Sequence, residues 1–124
     1  MQKAQKGFTL IELVVVIVLL GILGVTALAR FQDLSGDAQD AANEGVAAEL
    51  SSGSSINYAA RSMDGTAGFA TVGDTCDEIA INVMISKPAG YTFGDATVCG
   101  AAGNTMSCAV DDGGTTATAT VLCI

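Results

Sequence analysis

Few side chains in this sequence could do chemistry, and they fall into three groups. The first is four cysteines, Cys76, Cys99, Cys108 and Cys123, all in the C-terminal half. Their spacings match no zinc pattern, and the chain has no His to complete one. An even set of cysteines in a small domain points instead to disulfides, and so to an oxidising compartment such as a periplasm or the cell exterior. Four cysteines allow three pairings, and spacing alone does not choose among them. The second group is acidic. Asp111-Asp112-Gly113 has two acids but not the ligand spacing of a calcium loop, and reads as a turn. Asp33, Asp37, Asp40 and Glu44 recur at helical steps, as a solvated or inter-subunit face would, and predict no metal site. The third is a single residue, Glu12, a carboxylate near the start of the apolar stretch "KGFTLIELVVVIVLLGILG".

Several classes of function are disfavoured at once. No activated-nucleophile constellation and no Gly-rich phosphate loop after a strand appears, so neither catalysis nor a cofactor is expected. Thirteen acidic residues face five basic ones, a net charge of -8. Such a surface is not expected to bind a nucleic-acid backbone directly.

The elements that must position these residues begin with the apolar stretch. Phe8 to Ala29 is apolar except for Glu12 and threonine hydroxyls, and reaches about 33 Å as a helix, enough to cross a bilayer. Lys3 and Lys6 place the N-terminus on the cytoplasmic side, with the cysteines outside. From Phe31 the pattern turns amphipathic: Phe31, Leu34, Ala38, Ala41, Ala42, Gly45 and Ala48 form an apolar stripe of mostly small residues, which allows close approach of a neighbour. One helix is predicted from Phe8 to Ala60, about 80 Å long if unbroken, with Gly21 and Gly24 as its weak points.

Beyond it, residues 62–74 read as a Gly-rich loop. Thr75 and Glu78 fit a capping box opening a short helix. Ile79 and Val83 are expected on its buried face, with Ile85 as a further candidate, and Lys87-Pro88 ends it. Three strand-like runs follow, "GYTFGDATVC", "NTMSCAV" and "TATATVLCI", with "DDGG" at 111–114 turning the last hairpin. This C-terminal part has few aromatics and no Trp, so its core is modest and staples would help it. Two plain readings compete for the apolar run. One is a simple membrane anchor for a periplasmic domain. The other is a secretory signal peptide cut after Ala27-Leu28-Ala29, leaving a soluble domain from Arg30.

The leader, the Gly-Phe junction and the position of the glutamate coincide, however. "KGFTLIELVVVIVLLGILG" resembles the class III signal of type IV prepilins: a short basic leader, Gly, Phe-Thr-Leu-Ile-Glu, then an apolar helix. The likeness is close over residues 1 to about 35 and looks nearest to mannose-sensitive haemagglutinin-type pilins. It implies an α+β fold in which a long N-terminal helix packs on a small antiparallel head. Residues 1–7 would be the leader, 8–29 the transmembrane and filament-core helix, 30–60 its amphipathic continuation, and 61–124 the disulfide-stapled head. A prepilin peptidase would cut after Gly7, and the new amino terminus at Phe8 would be N-methylated. Glu12 would guide docking onto copies of the same subunit. The implied partners are those copies, the peptidase, the pilus assembly machinery and the inner membrane, before export into an extracellular pilus. The family's C-terminal loop implies Cys108–Cys123, with Cys76–Cys99 left over. A minor pilin or a type II secretion pseudopilin is the alternative within the family; the retained Glu12 favours a place along the filament shaft. One departure is Ala29, where such pilins usually carry a proline that loosens the helix.

Physical chemistry supports a docking role for Glu12. A bare carboxylate at helix depth costs about 2.5–3.5 kcal/mol on insertion scales. Cleavage creates a cationic amine at Phe8 with which a neighbour's Glu12 can pair, and the helix N-terminus favours the carboxylate further.

Overall fold

The computed structural model describes residues 7–94 and 97–124. Lys3 and Lys6, which carry the orientation argument, lie outside them, as do Asp95 and Ala96 of the first strand-like run. The elements are α1 (Leu10–Met63), α2 (Cys76–Val83), β1 (Thr92–Gly94), β2 (Thr105–Asp111) and β3 (Thr116–Leu122). Contacts divide the chain into two compact units, Met1–Asp37 and Ala38–Ile124.

In the first unit every described residue is exposed, large apolar ones included: Leu10 is 80% and Val25 74% accessible. A helix apolar all round and bare of cover belongs in lipid or among other helices. The helix passes Gly21, Gly24 and Ala29 without interruption. The Thr26 hydroxyl donates to the carbonyls of Leu23 (3.0 Å) and Ile22 (3.3 Å), so this polar group is satisfied within the helix.

The second unit opens with the rest of α1. The row of α1 that is buried there is Asn43, Ala47, Leu50, Ser54 and Asn57. The stripe expected from hydropathy is exposed instead: Phe31 is 70% accessible, Leu34 59%, and Ala38, Ala41, Ala42, Gly45 and Ala48 are exposed too. Hydropathy misses the true face because three of its five residues are polar and are buried by virtue of their hydrogen bonds.

The sheet is an antiparallel meander in the order β1-β2-β3. Thr92 pairs with Asp111, Thr105 with Leu122, and Asp111 with Thr116. Alternation puts Phe93, Met106, Cys108, Val110, Ala119 and Val121 on one face, where they pack with Ala47 and Leu50 of α1 and Ile79 and Ala80 of α2. The Thr75–Glu78 capping box forms as expected. Val83 is half-buried, but Ile85 is 98% exposed, because α2 ends at Val83 and Met84 takes the buried position. Gly53 lets α2 approach α1: a Cβ there would lie 2.7 Å from the Val83 carbonyl oxygen.

The disulfides differ from the expected pairs. Cys76 joins Cys108 and Cys99 joins Cys123, with Cα separations of 5.7 and 5.6 Å. Neither Cys108–Cys123 nor Cys76–Cys99 forms. The hairpin register is the reason. Cys108 faces Ala119, so Cys123, just past the end of β3, lies four residues further along the chain, about 13 Å away, while a disulfide needs Cα atoms within about 7 Å. The observed bonds tie α2 to β2, and the segment after β1 to the end of β3.

Candidate functional site

Gly7 and Phe8 are exposed and precede α1 in non-helical backbone, so the bond between them is accessible. Thr9 then caps the helix. The Glu12 carboxylate accepts from the Thr9 backbone N–H (2.9 Å) and the Thr9 hydroxyl (2.7 Å), while the Glu12 N–H donates to Thr9 Oγ1 at 3.4 Å. This is a second capping box, Thr-x-x-Glu, with the same signature as Thr75–Glu78. Thr9 is a functional residue that the sequence reading missed, although the four-residue signal was present. Its consequence is chemical: Glu12 is not a bare carboxylate in the single subunit. Two Thr9 donors hold it beside residue 8, at the positive end of the helix. Both donors use Oε2, so Oε1 is left to accept from an amine.

In the head unit, α1 holds the sheet by polar side chains. Asn43, 1% exposed, donates through Nδ2 to the Thr115 carbonyl (2.7 Å), the Thr115 hydroxyl (2.7 Å) and Asp112 (3.3 Å), pinning the β2–β3 turn. The Ser51 and Ser54 hydroxyls accept from the N–H groups of Thr120 (3.0 Å) and Leu122 (2.7 Å). They cover the free edge of β3, which would otherwise invite strand pairing. Asn57 forms an amide pair with the Phe69 backbone, at 2.8 and 2.6 Å. Gly68 adopts φ +69, and a Cβ there would meet Asn57 Oδ1 at 2.5 Å, so both strain and contact demand glycine.

Two predictions follow from this geometry. Asn43→Ala should lower the stability of the head by about 1–3 kcal/mol, because the Thr115 carbonyl loses its donor and a buried row is opened. Thermal melts of the purified chain measure it; an unchanged melting temperature would mean that the turn is held by other contacts. The second concerns acid. The Asn43 amide holds the Asp112 carboxyl below its ordinary 3.8, and the Thr75 backbone N–H and hydroxyl hold Glu78 below its ordinary 4.5. Both folded values are depressed, so the stabilisation is complete above the ordinary values and disappears as pH falls through the lower folded ones. The melting temperature should therefore fall between about pH 5 and about pH 3, and Glu78→Gln should blunt that fall.

Lys87 pairs with Asp77 and sits 5.4 Å from the centre of the Phe93 ring, a further tie between α2 and β1. Among the described residues no group of three or more His, Cys, Asp or Glu side chains could hold a metal ion.

The chain compares with known proteins at this same N-terminus and, less closely, beyond it. A family described as the prokaryotic N-terminal methylation motif matches residues 2–28. The type IV narrow pilus major component of Thermus thermophilus is 36% identical over 89 residues, which are 71% of this chain and 68% of that protein. The type IV major fimbrial protein of Dichelobacter nodosus is 38% identical over 81 residues, 63% of this chain and 48% of that one. A fimbrial protein of Pseudomonas aeruginosa is 51% identical over 37 residues, 30% of this chain and only 24% of its own length. No solved structure matches. A capped helix that is apolar and exposed over residues 10–29, together with an antiparallel head, agrees with these relatives, and the chain belongs to the type IV pilin family.

Proposed function

We propose that this chain is a structural subunit of a type IV pilus, cut between Gly7 and Phe8, N-methylated at Phe8 and polymerised through α1. The observation that carries this reading is the Glu12 carboxylate, held by Thr9 at the exposed start of a helix whose apolar first half has no cover. Before assembly α1 anchors the subunit in the inner membrane; afterwards it packs among copies in the filament core. The acidic, doubly stapled head then forms the extracellular surface. The partners are copies of the chain, the prepilin peptidase and the assembly machinery. The role is structural rather than catalytic, in keeping with relatives named as pilus components and fimbrial proteins.

Electron microscopy of cells deleted for this chain and then complemented tests the reading. Filaments should vanish on deletion, return on complementation, and be decorated along their shafts by antibody to the head. Unchanged filaments on the deletion strain would overturn a major structural role.

A further inference from the structure

Leu13 to Ala29 contains no charged residue, and α1 exposes this whole run. Packing one such surface of Val, Leu and Ile on another is tolerant of slippage. A shift of one helical turn, about 5.4 Å, replaces each lost neighbour by one of the same kind. The register between packed copies must therefore come from the polar groups that bound the run. At one end stand the Phe8 amine and Glu12. At the other stand Arg30, Asp33 and Asp37, all exposed. Among the described residues the other two cations are engaged, Lys87 with Asp77 and Arg61 with the Ala67 carbonyl at 3.4 Å, whereas Arg30 has no partner. An Arg placed N-terminal to an acid is also the weaker orientation for a pair within one helix.

We propose that Arg30 of one copy inserts between Asp33 and Asp37 of a neighbouring copy, and that this contact and the Phe8–Glu12 contact together set the axial register of the packed helices. The inference rests on the reading that copies pack through α1. Its geometry comes from the helix alone. For the Phe8 amine of one copy to meet Glu12 of the next, the helices shift by about one turn, close to four residues. The same shift brings Arg30 level with position 34 of the neighbour, between Asp33 and Asp37. Within α1, at about 100° per residue, Arg30 lies on the same face as Glu12, and Asp37 and Asp33 lie about 20° and 60° from it. The charged groups at the two ends of the run thus share one face of α1. The planar guanidinium suits two flanking carboxylates. A slip of one turn breaks both contacts at once, so apolar packing supplies adhesion and the two charged ends supply position.

Two experiments on the full chain test this, with wild type scored in parallel. In the first, Arg30→Glu should insert and be cleaved normally but yield at least about tenfold fewer filaments, as stranding a desolvated charge predicts. Adding Asp33→Lys and Asp37→Lys to it should restore the yield to within about threefold, in line with re-formed pairs. In the second, Arg30→Cys and Asp37→Cys subunits, one of them tagged, are co-expressed and their filaments treated with a short bismaleimide. The native cysteines are all in disulfides, so each subunit offers one thiol and every link joins two copies. Links between the two variants should exceed links within either. Wild-type yield from Arg30→Glu, failure of the triple variant to recover, or no excess of mixed links would overturn the pairing. Absence of filaments from wild type would instead overturn the functional reading on which it rests.

Discussion

Glu12→Gln should assemble as poorly as Glu12→Ala, although it keeps the helix cap. The two variants separate the cap that the structure shows on this side chain from the docking proposed for it. Glutamine at the third position of a capping box still accepts from the cap residue, so Glu12→Gln retains the Thr9 bonds and loses only the charge. If docking depends on pairing with the Phe8 amine, both variants leave processed subunit in the membrane and reduce filament yield by at least about tenfold, the scale expected when a buried charge loses its partner. If Glu12 serves only to cap α1, Glu12→Gln assembles normally and Glu12→Ala shows the milder loss of a cap, about 1 kcal/mol. Thr9→Ala provides the complementary case: the charge stays, but the carboxylate loses the Thr9 hydroxyl and keeps only the backbone N–H of residue 9, so it is less well held beside residue 8. Its yield should fall between wild type and Glu12→Gln. Quantifying sheared filaments against membrane-bound processed subunit reads all of these variants together.

The second large effect concerns the staples. The fully buried side chains of the head are small, with Leu50, Ile79, Val110 and Val121 the largest apolar ones, and the sheet has three short strands. The disulfides span 32 and 24 positions, which in the chain-entropy account are worth about 3.5 kcal/mol each. A domain of this size has a net stability on the order of 5–15 kcal/mol, so losing either bond removes a large share. Cys76→Ser with Cys108→Ser, or Cys99→Ser with Cys123→Ser, should each lower the melting temperature by more than about 10 °C and expose the head to proteolysis. Peptide mapping without reductant should recover Cys76 linked to Cys108 and Cys99 linked to Cys123. Recovery of Cys108 linked to Cys123 would contradict the hairpin register, since that pair is held about 13 Å apart along the strands.

These two cases also mark what could be read from the sequence. Local signals were legible: the apolar run of α1, the Thr75–Glu78 box, the Asp-Asp-Gly-Gly turn and the alternation in β2 and β3 each depend on neighbours a few positions away. The disulfide pairing was not, because it depends on which residue faces which across the hairpin, and register is a property of two strands. The buried face of α1 was hidden for another reason. Asn43, Ser54 and Asn57 are buried because their partners lie 12 to 72 positions away along the chain, and hydropathy treats them as surface. The Thr9–Glu12 box is local too, but it is embedded in an apolar run whose hydropathy masks the cap signature.

That α1 becomes an assembly element once the chain is cut before Phe8 is tested most directly by mass spectrometry of the chain recovered from purified extracellular filaments. The N-terminal peptide should begin at Phe8 and carry one methyl group on its amine. A mature terminus at Met1 or at Arg30 would contradict it.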